Sequence, residues 1–567
     1  MRVAPHAGVA VVLILLAILV AALVVLAAVR SLAPAHVVRF GTMGGAAAIA
    51  VLACVALVVP DMASFPLPPL WLALDPIGAS FLLLAGVAAT ARADAGPLAL
   101  AGMALALIAG NGFALTAGFV AVIAPREDRR NIWPTVSIIC LIVAFALMGH
   151  AGAFNAIRAL QPPDAPRAAV ILALILIAAI GLLRVAPLLA AYLALRALFD
   201  LCGPVQPLWW ALPLLIAGAA IAVVTTWHAA TADTLHTTLS ANVRNQFGIA
   251  LVALGVALLA RAVDLPSLTT LALEAFWLAV TCLSLCEPLL AHAADSIERA
   301  AGTRQLDRLG GLIRGLPSTS ACCLAGLFTL SIVPPGLGFA AFWQTFMSLL
   351  AVSRADGLGL QLLVALTAAA IALSLTLATL SGVRLFATAF LGRPRTPRAA
   401  VAEEPPRQTR LELAGLAALV VLLGIIPGLA RLPAIGWSGG TAFPLDLRPA
   451  YSAIVIAGLL AIAASIATWI RRQGGAREQR SEPAWMDGFS APPPWLPFGD
   501  PATQIGPASF IDPLRRLLPS LPMPPIRTWF PRSGLLLSSL SDAVSANAIP
   551  VTLIVIVATI AAWLVAL

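Results

Sequence analysis

The sequence predicts an all-α polytopic membrane protein, a bundle of about 14 to 16 transmembrane helices, several of them broken. Three observations predict it. Hydrophobic residues make up 61% of the 567 and charged residues only 10%, and mean hydropathy is +0.99, more apolar surface than a soluble core requires. Apolar runs of about twenty residues, the length that crosses a bilayer, recur along most of the chain. Prolines interrupt these runs at Pro187, Pro288 and Pro334-Pro335, where a lost N–H donor and a steric clash end or kink a helix.

Charge and cysteine usage narrow the function classes. The formal charge of +9 is carried by arginines alone, since the chain has no lysine. In a chain this apolar, those charges orient loops and do not read as a nucleic-acid surface. Arginine keeps its proton in proteins whereas a desolvated lysine can release it. The seven cysteines form no CxxC pair, and with six histidines no zinc framework is expected. Cys282 and Cys286 share a helix face by spacing and read as small buried hydrophobes. No glycine-rich phosphate loop, catalytic triad or haem-ligand pair stands out, so no catalytic residue, metal or cofactor is assigned.

In chain order, residues 8–29 form an uninterrupted apolar span, read as a retained first helix, and 41–60 a second. PLPPLWLALDPIGASFLLLAGVAA opens a third, with Asp75 placed to cap it by accepting free N–H groups. Residues 96–124 read as one long run holding Asn111, and 132–150 span again. The segment 168–202 is broken at Pro187, giving two short spans or one kinked helix. Spans follow at 207–227, 244–261 and 267–291, with HAATADTLHTTLSANVRNQFGIAL between the first two. The stretch 284–343 carries Glu287, His292, Asp295 and Glu298, then a basic loop, then a run broken at Pro334-Pro335. Residues 360–391, 411–430 and 450–470 complete the main bundle, before a Pro/Arg-rich polar stretch over 471–548 and a last span over 549–567.

Carboxylates at bilayer depth are costly and default to a functional reading. Glu287 precedes Pro288 and lies eight residues from Asp295, about 80° away around an ideal helix. His292 with Asp295 is an i,i+3 pair and Asp295 with Arg299 an i,i+4 pair. The group reads as a hydrated acidic patch or, for Asp295, Glu298 and Arg299, as a solvated helix end. Two basic loops, 299–314 and 393–410, are separated by three candidate spans, so the positive-inside rule satisfies both only if one span is re-entrant.

The loop AGTRQLDRLGGLIRGLP, followed by a span and PPGLGF, resembles the antiporter-like membrane subunits of energy-converting hydrogenases and respiratory complex I, most closely the hydrogenase-4 component B branch. Gly302, Thr303, Arg304, Leu306, Arg308, Leu309, Gly310 and Gly311 match that family's loop. LDPIGASFLLL, LALRALFDLCG and the tail APPPWLPFGDPATQIGPASFIDPLRRLLP extend the likeness. The resemblance implies a subunit beside a redox module, with protons moving through Glu, Lys and His along the bilayer centre.

The chain departs from that pattern. The helix at 96–124 lacks the family's glutamate, and a block with a lysine-bearing broken helix is missing before LFDLCG. His236 stands at one lysine position, Asn242 replaces a histidine, Glu287 stands at the central lysine, Phe342 at a carboxylate and Arg384 at a third lysine. His236 reads as a functional substitute or as an interfacial hydrogen-bonded histidine. Arg384 must pair or hydrate, and Arg184, like Arg384, holds fixed charge without shuttling protons.

The expected organisation is N-terminal helices over 1–65, a shortened antiporter-like core over 66–400, further helices over 401–470, the polar stretch 471–548 and a final helix 549–567. Proton-path candidates are Glu287, His236, His292, Asp295 and Glu274. The expected function is a membrane subunit of a hydrogenase-4/complex I-like proton-coupled redox complex with a rewired or degenerate relay. A non-conducting scaffold and a stand-alone ion transporter are the alternatives. Expected partners are the other membrane subunits, the lipid bilayer and protons, with localisation in the bacterial inner membrane.

Overall fold

A computed structural model describes residues 6–30, 34–58, 63–67, 70–90, 96–125, 133–148, 154–158, 165–202, 206–352, 358–438, 452–473 and 506–517. The N-terminal part is helices α1 (His6–Ala28) and α2 (Ala35–Val58), then a short antiparallel ribbon of β1 (Ala63–Leu67) and β2 (Leu70–Leu74), then α3 (Pro76–Thr90). This ribbon is an addition to an otherwise helical bundle. Asp75 caps α3 as its position predicts: Gly78 N–H donates to Oδ1 at 2.8 Å.

The run 96–124 is not one span. It folds as two antiparallel-packed helices, α4 (Pro97–Leu107) and α5 (Gly112–Ile123), joined through Ile108–Asn111. The joint is pinned to the ribbon, where Ala73 N–H donates to the Ile108 carbonyl at 2.8 Å and Gly110 N–H to that of Trp71 at 2.7 Å. Asn111 then caps α5 by accepting from Ala114 N–H. The two backbones touch at small residues, since a Cβ on Gly118 would lie 2.5 Å from Ala106 N. Uniform hydrophobicity hides such a fold because both halves are equally apolar.

Next come α6 (Trp133–Leu147), α7 (Phe154–Arg158), α8 (Ala165–Leu182) and α9 (Pro187–Ala194), the last running into a π-helical turn over Leu195–Asp200. The chain breaks at Leu183–Ala186, directly before Pro187, as expected, with the proline at the first helical position where its missing N–H costs nothing.

The centre is α10 (Ala211–Thr231), α11 (Leu235–Ala262) and α12 (Pro266–Ala301). Of the helices long enough to span, α11 is the most enclosed. Backbones of α10 and α11 meet at Gly218 and Gly248, where an added Cβ would lie 2.7 Å and 2.6 Å from the opposing backbone. Contrary to the reading of 228–243 as an inter-span connection, α11 begins at Leu235, capped by Thr234, and carries its polar N-terminal half into the bundle. Pro288 does not break α12, which is continuous from Pro266 to Ala301; the proline only withholds the N–H that the Ser284 carbonyl would otherwise accept. Gly302, at φ +72°, ends the helix in the left-handed conformation.

Helices α13 (Pro317–Thr329) and α14 (Leu337–Val352) flank a break that contains the cis Pro334-Pro335 bond. Then come α15 (Leu358–Ala389), α16 (Pro397–Ala400), α17 (Arg407–Ile425), α18 (Pro427–Arg431), α19 (Ile435–Ser438), α20 (Ala453–Gln473) and α21 (Pro507–Leu517). The two basic loops lie together at one end of the bundle. Gly311 N–H donates to the Leu391 carbonyl at 3.0 Å, and Arg398 Nη2 to that of Arg299 at 3.0 Å. The conflict over the two loops dissolves because α13 and α14 are two halves of one broken crossing, with α15 returning the chain.

Eight described helices are long and apolar enough to cross a membrane, and six shorter apolar ones accompany them. The protein is a multi-pass membrane bundle with broken helices, as predicted. The expected final helix over 549–567 lies outside the described residues, and so does all of the polar stretch except 471–473 and 506–517.

Candidate functional site

A cavity of about 390 Å³ lies between α8, α10, α11 and α12. It brings together two of the proton-path candidates, Glu287 and His236, with Arg184, and adds His228 and Arg244. Arg184 sits in the turn that ends α8, His228 in the last turn of α10, His236 in the first turn of α11 and Arg244 two turns further along. Glu287 projects from the middle of α12. Arg244 is attracted by Glu287 and repelled by Arg184, and His228 lies in the field of both arginines. In this cavity Glu287 therefore faces permanent positive charge. His228 and Arg244 were legible only in part: His228 lies in the polar stretch before the expected span at 244 and Arg244 is that span's first residue, and hydropathy does not reveal that one cavity joins them.

At the rim, His236 Nε2 lies 3.0 Å from Asp295 Oδ1 and 3.5 Å from Glu298 Oε2. Arg304 Nε donates to Glu298 Oε1 at 2.6 Å. These His and carboxylate ligand atoms fall within 4.8 Å of one another, and Arg304 already supplies the neutralising charge. The expected Asp295–Arg299 pair is made through the backbone, with Arg299 Nε donating to the Asp295 carbonyl at 3.1 Å.

The other candidates lie elsewhere. His292 Nε2 is 3.9 Å from Glu412 Oε2 on α17, and Glu412 in turn pairs with Arg39 of α2 at 2.8 Å. Glu274 is paired with Arg431 of α18 at 2.6 Å and accepts from Gln344 Nε2 at 2.9 Å. Arg384 is buried and paired, as it had to be. Its Nη1 donates to the Ala230 carbonyl at 2.7 Å and its Nε to that of Pro507 at 2.9 Å. This arginine thereby ties α21, part of the polar stretch, to the chain's own core. Phe342 is buried and stacks on Phe346.

Between the cavity and the Glu274 pair, α11 buries Asn242, Asn245 and Gln246, each at most 1% exposed. Their six amide atoms have no hydrogen-bond partner among the described residues. Gln246 reaches the break before α14: a Cβ on Gly338 would lie 2.8 Å from its Nε2. Buried amides in this position are the groups that ordered water satisfies in proteins. They do not titrate, so charge crosses such a segment only on water.

A second polar cluster escaped sequence reading. Arg196, 1% exposed, forks onto Asp75, with Nη2 donating to Oδ1 at 2.7 Å and Nη1 to Oδ2. It also binds Asp200 Oδ2 at 2.7 Å and the Tyr192 hydroxyl at 2.9 Å. Arg158 reaches Asp200 Oδ1 at 3.0 Å and Asp75 at 3.3 Å. Asp75 lies more than a hundred residues from its main partner, so no local pattern announces the pair.

No family model matches the chain. It is 30% identical over 219 residues to hydrogenase-4 component B of Escherichia coli, covering 39% of this chain and 33% of that protein. It is 30% identical over 256 residues to formate hydrogenlyase subunit 3 of the same organism, covering 45% and 41%. The matched region thus spans well under half of either relative. A chain of the archaeal membrane-bound sulfane sulfur reductase superposes with TM-score 0.70 at 17% identity, covering 88% of this chain and 91% of that one. A chain of respiratory complex I from Thermus thermophilus does so with TM-score 0.57 at 17% identity, covering 75% and 100%. The protein is a multi-pass membrane protein similar over part of its length to hydrogenase-4 component B and formate hydrogenlyase subunit 3, built on a fold shared with chains of the membrane-bound sulfane sulfur reductase and respiratory complex I.

Proposed function

We propose that the chain is a membrane subunit of a proton-coupled redox complex of the hydrogenase-4/complex I type, seated in the bacterial inner membrane among other membrane subunits, with a rewired proton relay centred on Glu287. The observation that carries this reading is the convergence of Glu287, His236, His228, Arg244 and Arg184 on one cavity. A relay needs groups that both gain and lose a proton, within hydrogen-bond or water reach. Here the carboxylate and the two histidines are such groups, and the arginines set the field in which they exchange. His236 extends the cluster to Asp295 at the rim. Deeper in the core, Asn242, Asn245 and Gln246 offer hydrogen bonds to water in place of a titrating amine.

A non-conducting scaffold is the second reading. It is favoured by the ion pairs that occupy Glu274 and His292 and by the amides at the centre of α11. Proton uptake by the reconstituted complex decides between them. Glu287→Gln is expected to lower uptake by more than about tenfold, a modest share of what a positioned acid or base contributes, and His236→Ala to lower it by less. Unchanged uptake in both variants refutes the relay and leaves the scaffold.

A further inference from the structure

The cavity at Glu287 carries more positive than negative charge. Arg184 and Arg244 both line it, Glu287 is its one lining carboxylate, and the two histidines are uncharged when neutral. The arginines repel each other, and Glu287 compensates one of them. An apolar part of the lining is formed by Trp133, Ile221, Val224 and Leu290. The cavity fills the space between two packed groups, α8 against α6 and α10 against α11. It lies at the end of the bundle that bears the arginine-rich loops, because its histidines flank the 232–234 turn and that turn is hydrogen-bonded to loop 304–306.

An uncompensated positive charge within a membrane bundle draws an anion, and paired guanidinium forks match the oxygens of phosphate, the anion that lipid headgroups supply at a membrane. We propose that this cavity binds a singly charged phosphate group between Arg184 and Arg244, with the apolar part of the lining taking whatever the phosphate carries. A single negative charge brings the site to neutrality beside an ionised Glu287. A lipid phosphodiester and free inorganic phosphate share this chemistry. The inference is independent of proton transport, since binding is measured with no driving force.

The full-length protein, purified in detergent and stripped of lipid, is titrated with phosphatidylglycerol or phosphatidylcholine and read by native mass spectrometry. Phosphatidylglycerol is expected to bind more tightly than phosphatidylcholine. Arg184→Gln and Arg244→Gln are each expected to weaken that binding about tenfold, the size of one charged hydrogen bond. Glu287→Gln, which removes the competing negative charge, is expected to tighten it about threefold or more, a gain that misfolding cannot produce. Displacement of phosphatidylglycerol by millimolar inorganic phosphate upholds the site and names free phosphate as its occupant; retention upholds it with the lipid as occupant. Equal binding of the two lipids, arginine variants that bind like the parent, or a Glu287→Gln protein with no gain overturns the proposal.

Discussion

Replacing Arg196 by Leu tests whether the buried network at Asp75 holds the broken helices in place. The guanidinium makes five polar contacts, two to Asp75, one to Asp200 and two to the Tyr192 hydroxyl, and is 1% exposed. Its removal leaves Asp75 with the Gly78 N–H at 2.8 Å and Arg158 at 3.3 Å. Breaking a buried pair by deleting one partner costs about 3–5 kcal/mol, because the stranded charge stays desolvated. Arg158 offsets part of that, so about 3 kcal/mol is expected. Adding Asp75→Asn removes the stranded charge, and the double variant should fall short of additivity by about 1–3 kcal/mol. Arg196→Lys keeps the charge but loses the fork and should cost about 1–2 kcal/mol. Unfolding by SDS titration in mixed micelles, followed by helix content, measures the parent, Arg196→Leu, Asp75→Asn, the double variant and Arg196→Lys. A loss below about 1 kcal/mol for Arg196→Leu, or strict additivity with Asp75→Asn, refutes the network's structural role.

Two further outcomes follow from the fold. Gly118→Leu forces a side chain into the α4–α5 contact, where even a Cβ would lie 2.5 Å from Ala106 N; overpacking should cost at least about 2 kcal/mol in the same titration, and wild-type stability would contradict the hairpin. With both arginine-rich loops on one face, the positive-inside rule puts that face in the cytoplasm. Single cysteines at Arg308 and Arg398 in a cysteine-free background should both resist impermeant thiol reagents in intact cells and react in inverted vesicles; opposite accessibility of the two would contradict the paired loops.

Much of this was legible from local pattern. Membrane burial follows from composition alone, and the breaks before Pro187 and at Pro334-Pro335 follow from proline's missing donor. The cap at Asp75 follows from its place before a proline-started helix. Hydropathy misled at two places. It joined α4 and α5, because a turn between two apolar helices that is satisfied by ribbon hydrogen bonds needs no polar punctuation. It placed the start of α11 too late, because Thr237, Thr238, Ser240 and Asn242 read as loop residues unless neighbours exist to enclose them.

The amino-acid sequence by itself determined that the chain spans a membrane many times, that helices break at Pro187 and at Pro334-Pro335, and that any proton relay had to work without lysine. Tertiary structure alone decided which charges meet: Arg196 with Asp75, Arg431 with Glu274, Arg384 with two backbone carbonyls, and Glu287 with Arg244 and Arg184 in an open cavity. The physical reason is that residue type sets how costly a charge is at depth, whereas helix packing sets the partner that offsets the cost, and in this chain nearly all those partners come from distant segments.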